Sequence, residues 1–289
     1  MNTNPGSYVV PRSVEEAAEI LRAGNVTILA GGTDLMPQTQ GGKVKFQPVL
    51  MNIRRVAGIR GIEERGEVVR IGALTTITEL MDSALVQERF GILWQACDHF
   101  ASDQIRNAAT LGGNLCNASP AGDTLVPLLA LDACVLLAGK PNGVLATRTV
   151  PLAEFFTGPG KTVRAASELL TAVEIALPLA GFRGEFFKLG TRPGLDIAGV
   201  AIGFGAVREG DRLRHVRVAF GAVAPTPVRA LRTEAALEGK ALDAATIDAA
   251  VKAAAREVHP ISDVRASAWY RTEMVRNNLR KMLDNARQG

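Results

Sequence analysis

The stretch "SVEEAAEILRAG" carries the apolar spacing of a helix; Ser13 and Glu16 stand as a capping box and Gly24 ends it. Short apolar strands are predicted over 26–30 and 47–53, so the chain opens as a small α/β unit. From about Gly58 the pattern changes. "EVVRIGALTTITELMDS" predicts a strand and a short helix capped by Thr76, with Glu79 three residues on. "LVQERFGILWQACDHF" predicts one helix with an apolar stripe. "ACVLLAGKPNGVLATRTV" predicts a β-hairpin whose tight turn holds Asn142 and Gly143 at positive φ. "ELLTAVEIAL" predicts a further strand, stopped by Pro178.

The last third predicts strands in "GEFFKLG", "IAGVAIGFGAVRE" and "LRHVRVAFGAV", the last two joined around Gly210 and Asp211. Ala-rich helices follow "APTPVRA", and the Trp269, Met274 and Leu279 region is expected to pack within them. Strands followed by helices is the α+β order. The expected division is 1–57, 58–180 and 184–289, with the boundary of the last unit at 178–184.

Composition narrows the function. The chain has 289 residues, 47% apolar and 21% charged, with a formal charge of +4. That is a globular composition rather than a disordered one. Scattered arginines and few aromatics argue against a nucleic-acid surface. No apolar run is long enough to span a membrane, and the N-terminus does not read as a secretory signal. Cys97, Cys116 and Cys134 are odd in number and widely spaced, which fits a reducing cytoplasm and predicts no cluster or zinc site in this chain.

Candidate chemistry concentrates in two glycine pairs. "ILAGGTDLMP" runs a strand into Gly31 and Gly32, and "IRNAATLGGNLCNASPAGDT" carries Gly112 and Gly113. A pair without Cβ atoms lets backbone approach a ligand, and successive N–H groups can form an anion-binding nest. Two nests fit a ligand with two phosphates, or a long ligand touched at two places. Asp34 would repel phosphate, so it is expected to cap the helix that starts there. "TGPGKT" lacks the first glycine of a P-loop, since Phe155 stands in its place, and no dinucleotide-binding G-x-G-x-x-G opens a helix. Cys97 and His99 are two apart on an expected helix and face different ways. His215 and His259 read as surface residues.

Together, "ILAGGTDLMP", "HFASDQIRNAATLGGNLCNASPAGDTLVPLLALDA" and "FFKLGTRPGLDIAGVAI" resemble the FAD-binding medium subunit of the molybdenum hydroxylases, the xanthine dehydrogenase and carbon monoxide dehydrogenase family. The resemblance runs over nearly the whole chain, to "SAWYRTEMVRNNLRKML". It implies a two-subdomain flavin-binding fold of the vanillyl-alcohol-oxidase-like (PCMH) type, followed by an antiparallel sheet with a helical bundle. By the same resemblance Ile28, Leu29, Ala30, Gly31, Gly32, Thr33, Asp34 and Leu35 wrap the FAD diphosphate from one side. Thr110, Gly113 and Asn114 approach from the other, and Phe100, Ala101, Ile105 and Ala109 line the groove. Asp123 matches a position that contacts FAD through its carboxylate, Leu170 and Lys188 match positions near the flavin ring, and Cys116 contributes backbone more than sulfur.

The implied activity is electron transfer through non-covalent FAD. A large partner subunit would hold the molybdenum cofactor and a small one two [2Fe–2S] clusters, assembled as a dimer of heterotrimers. No residue of this chain is assigned as catalytic or as a metal ligand. The cysteine-rich insertion of 4-hydroxybenzoyl-CoA reductase has no counterpart here, which favours an oxidative complex. Two alternatives are a stand-alone flavin oxidase of the same fold and a non-enzymatic nucleotide-binding protein.

Overall fold

The computed structural model describes residues 5–192 and 194–288. Three larger sheets follow one another along the chain, and Phe156–Gly158 pairs with Lys161–Thr162 as a two-stranded fourth. The first is parallel, in the order Ser7–Val9, Val49–Asn52, Val26–Leu29. The helix Val14–Ala23 supplies the crossover, burying Ala17, Ala18 and Leu21. Ser13 Oγ accepts the Glu16 N–H at 3.1 Å. The Glu16 carboxylate returns its bond to the N–H of Arg12, at 2.7 Å, one residue further out than a standard box.

The second sheet is antiparallel, in the order Ile62–Arg65, Val68–Gly72, Glu168–Ala176, Cys134–Gly139, Ala146–Pro151. The helix Ile77–Asp82 carries the full reciprocal box, Thr76 with Glu79. The single helix expected over 85–100 is instead two, Ala84–Arg89 and Gly91–Asp98. Phe90, 1% exposed, breaks them at φ −127° and ψ 48°. Gly91 weakens helix continuity, and the bend lets Val86, Ile92 and Leu93 all reach one core. The expected tight turn also differs. Gly143 alone has positive φ, and its N–H bonds Lys140 O at 3.3 Å. Pro141 fixes φ at the second position of that four-residue turn, which favours type I over the primed types.

The third sheet is antiparallel, Phe182–Leu189, Val200–Glu209, Arg212–Gly221, Val228–Arg229. Its second core forms against Leu231–Leu237, Ala244–Glu257 and Ala268–Gln288. Leu279 is buried there and Met274 packs at its edge, but Trp269 is 72% exposed, contrary to expectation. Trp269 lies in the first turn of the last helix, short of the stretch that meets the sheet. Arg271, 3% exposed, reaches back from that helix. It donates to Gly199 O and Ala222 O, both at 2.7 Å, and to Asp263 Oδ1 at 2.8 Å. The architecture is α+β, with the first two sheets placed ahead of the sheet-and-helix unit.

Candidate functional site

The strand Val26–Leu29 ends at the first glycine pair, and the helix Leu35–Gln40 begins just past it. Pro37 fits there because first-turn residues need no N–H partner. Gly31 is pressed on the backbone of the second unit: a Cβ would lie 2.1 Å from Ala108 O. Gly32 has φ +77°. From Gly31 through Leu35, consecutive backbone N–H groups find no acceptor among the described residues. Buried or half-buried N–H groups in folded proteins are nearly always paired, so this run marks a place for an external acceptor.

Asp34 does not cap the helix. Its φ of −102° and ψ of −45° are helical, and its side chain accepts no turn N–H. The carboxyl stands at an accessible rim, yet the surrounding walls raise its pKa by desolvation, against the pull of Lys43.

The second glycine pair is not a nest. Leu111 N–H bonds Thr75 O, Gly112 N–H bonds Ala73 O, and Asn114 N–H bonds Thr110 O. Gly113 N–H bonds Thr110 Oγ1, the N-cap of Leu111–Asn117. These donors are spent inside the protein. Gly112 is required for packing instead, since a Cβ would stand 2.7 Å from Ala73 Cβ. The unpaired backbone donors at this site come from the first turn.

Between these turns lies a cavity of ≈ 460 Å³, lined among others by Gly31, Gly32, Thr33, Gly113, Asn114 and Leu170. A neighbouring cavity of ≈ 380 Å³ shares Thr33, Asp34, Phe100, Asn114 and Asn117 with it and ends at Leu195, Asp196 and Ile197. The two walls bring together Ile28, Ala30, Leu35, Ala101, Ile105, Ala109, Thr110, Cys116 and Asp123 as well. Of the residues singled out from sequence, Leu29 and Lys188 alone do not line either cavity. Leu29 packs beneath Gly32, and Lys188 stands behind Asp123.

Asp123 is 9% exposed. Its Oδ2 accepts from Lys188 Nζ at 2.7 Å, and Lys188 also donates to His99 O at 2.9 Å. Its Oδ1 is buried without a partner. Burial pushes this carboxyl up to about 6, although Lys188 pulls the other way. Folded Asp123 therefore holds a proton more readily than the unfolded chain, whose carboxylate has a pKa of about 4. The contribution of Asp123 to apo-protein stability should fall as pH rises between about 4 and about 6 and level off above. The difference in melting temperature between the parent and Asp123→Asn, followed across that window, checks the sign. A difference that stays flat would mean that Lys188 keeps Asp123 ionised throughout.

Sequence reasoning missed several lining residues. Lys45 and Arg164 place positive charge on the larger cavity, and Gln38 Nε2 donates to Asn117 Oδ1 at 3.1 Å between the two turn helices. Asn117 lay inside the quoted motif; Lys45 and Arg164 reach the site through tertiary folding and carried no local signal. The unpaired N–H run, the orphaned Asp123 oxygen and the two cavities with shared walls fit a ligand with a diphosphate and hydroxyls, as FAD has. Among the described residues no group of three or more His, Cys, Asp or Glu could hold a metal, and no helix is long and apolar enough to cross a membrane.

Comparison with known proteins gives the site a family. Residues 2–178 match the FAD binding domain in molybdopterin dehydrogenase. Residues 185–286 match the CO dehydrogenase flavoprotein C-terminal domain. The carbon monoxide dehydrogenase medium chain of Hydrogenophaga pseudoflava is 33% identical over 283 residues, covering 96% of each chain. The xanthine dehydrogenase FAD-binding subunit of Escherichia coli O157:H7 is 32% identical over 262 residues, covering 90% of this chain and 88% of that one. A solved carbon monoxide dehydrogenase from Hydrogenophaga pseudoflava, in a form lacking the Mo-pyranopterin moiety of its cofactor, superposes with a TM-score of 0.91 at 33% identity, covering 97% of this chain and 96% of that one. The chain belongs to the FAD-binding medium subunits of the molybdenum hydroxylase family and is an oxidoreductase component.

Proposed function

We propose that this chain binds one FAD without a covalent link and serves as the electron outlet of a three-subunit hydroxylase. The N–H run from Gly31 to Leu35 carries the reading. It faces a cavity, and charge-assisted hydrogen bonds to a diphosphate are worth about 1.5–3 kcal/mol each. Thr33 and Asn114 add side-chain donors on the same wall, and the unpaired Asp123 Oδ1 accepts from a ligand hydroxyl. Ile28, Phe100, Ala109 and Leu170 supply apolar surface to orient a flat ring system. Bound FAD supplies two-electron and one-electron redox steps; the protein binds, orients and shields it.

The wider reading follows from relatives named as medium chains and FAD subunits. A small subunit with [2Fe–2S] clusters passes electrons in, a large subunit with the molybdenum cofactor oxidises the substrate, and an external acceptor takes electrons from the flavin. The proposed assembly is a dimer of heterotrimers in the cytoplasm, and the chain divides at 57 and near 180.

The purified chain should be yellow, with about one FAD per chain released into the supernatant by acid precipitation, and should carry neither iron nor molybdenum. Flavin spectroscopy and metal analysis check this. Colour left in the acid pellet would indicate a covalent flavin, and stoichiometric iron would place a cluster in this chain.

A further inference from the structure

Arg54 lies immediately behind the unpaired N–H run. It follows the strand Val49–Asn52, which lies parallel beside Val26–Leu29. Its N–H donates to Asn52 Oδ1 at 3.0 Å, and the Asn52 amide donates to the Tyr8 hydroxyl at 2.7 Å, so the backbone here is fixed. The guanidinium then spans to the glycine turn. Nε donates to Ala30 O and Nη2 to Gly31 O, both at 2.8 Å.

The consequence is geometric. The chain has no cis peptide bonds among the described residues. In a trans peptide the carbonyl and the following N–H point in opposite directions. Holding the carbonyls of Ala30 and Gly31 on the outer side therefore turns the N–H groups of Gly31 and Gly32 inward. These are the first two donors of the unpaired run. The positive φ of Gly32 continues the run into Thr33.

We propose that Arg54 is a positioning residue for diphosphate binding. It fixes the turn with its donors already aimed at the cavity, and its charge behind the peptide planes polarises them. Preorganisation of this kind raises affinity by removing the ordering that binding would otherwise require. A lysine could not do the same, because one ammonium lacks the planar fork that meets two adjacent carbonyls. The inference rests on the FAD reading above.

The test compares the parent apo-protein with Arg54→Met and Arg54→Lys. FAD, riboflavin and ADP are titrated separately, and apo melting temperature is followed alongside. Arg54→Met should weaken FAD by about tenfold and weaken ADP in proportion. Riboflavin, which lacks the diphosphate, should bind as before, and the apo melting temperature should hold. Arg54→Lys should fall between parent and methionine. Equal weakening of FAD and riboflavin would make Arg54 a general stiffener of the surface and overturn the proposal, as would unchanged FAD affinity. A parent that takes up no FAD defeats the cofactor reading and this inference together; parent uptake with an unaffected Arg54→Met defeats this inference alone.

Discussion

Replacing Gly31 with alanine is expected to leave the purified protein without flavin. The added Cβ would stand 2.1 Å from the carbonyl oxygen of Ala108, 2.9 Å from its carbon and 3.1 Å from Ala109 Cα. All three are backbone atoms, so no rotamer change relieves the clash. Either the glycine turn or the 108–109 segment must move, and together they form the cavity wall. Overpacking of this kind costs about 1–3 kcal/mol, and every displaced N–H donor is lost to the ligand in addition. Gly32→Ala makes the informative contrast. There the Cβ would meet only side-chain carbons, Leu29 Cδ1 at 3.0 Å and Met36 Cγ at 3.3 Å. The remaining cost is the positive φ, about 1–2 kcal/mol. The flavin-to-protein absorbance ratio should therefore fall much further for Gly31→Ala than for Gly32→Ala, with circular dichroism to confirm that both fold. Normal flavin in Gly31→Ala would remove the turn from the binding site.

The second large effect concerns Asp123 and Lys188. Their side chains are 11% and 6% exposed and joined at 2.7 Å. Truncating Asp123 to alanine leaves a buried ammonium with only His99 O for company. Breaking one partner of a buried pair costs about 3–5 kcal/mol. Asp123→Ala should thus melt well below the parent even without ligand. It should also bind FAD about one to two decades more weakly, because Asp123 lines the smaller cavity and its Oδ1 has no partner within the protein. Adding Lys188→Met separates these effects. The double variant should regain most of the melting temperature and none of the FAD affinity. Recovery of both would mean that Asp123 serves the fold alone. Asp123 does not cap the helix that follows it, since Leu125–Ala130 begins after Thr124 and takes no side-chain cap.

The sequence made some of this site readable because the signals were local. A strand, two glycines and a helix start lie within 26–35, and each residue type there has a backbone reason to be present. The same locality made the second glycine pair misleading. Gly112 reads like Gly31 in one dimension, but Ala73 takes its space from 39 positions away, and its N–H is already bonded there. Arg54 was invisible for a similar reason: its acceptors, Ala30 and Gly31, lie across a sheet from it. Arg164 and Lys45 reach the cavity from segments that carry no pattern of their own. The broken helix at Phe90 was hidden because both halves share one apolar face, and a stripe does not record where the axis bends.

Arg271 is made late in the synthesis of the chain, yet it anchors backbone beside the smaller cavity. Leu195, Asp196 and Ile197 line the smaller cavity, and the Gly199 carbonyl just past them is anchored by that arginine. The anchor belongs to the last helix of the chain, while the glycine turn lies among the first forty residues. During synthesis the N-terminal portion emerges and folds first. The glycine turn is therefore made while the Gly199 carbonyl still lacks its tether. A nascent chain stalled before Arg271 would hold the glycine turn without the bond that anchors Gly199 beside the smaller cavity.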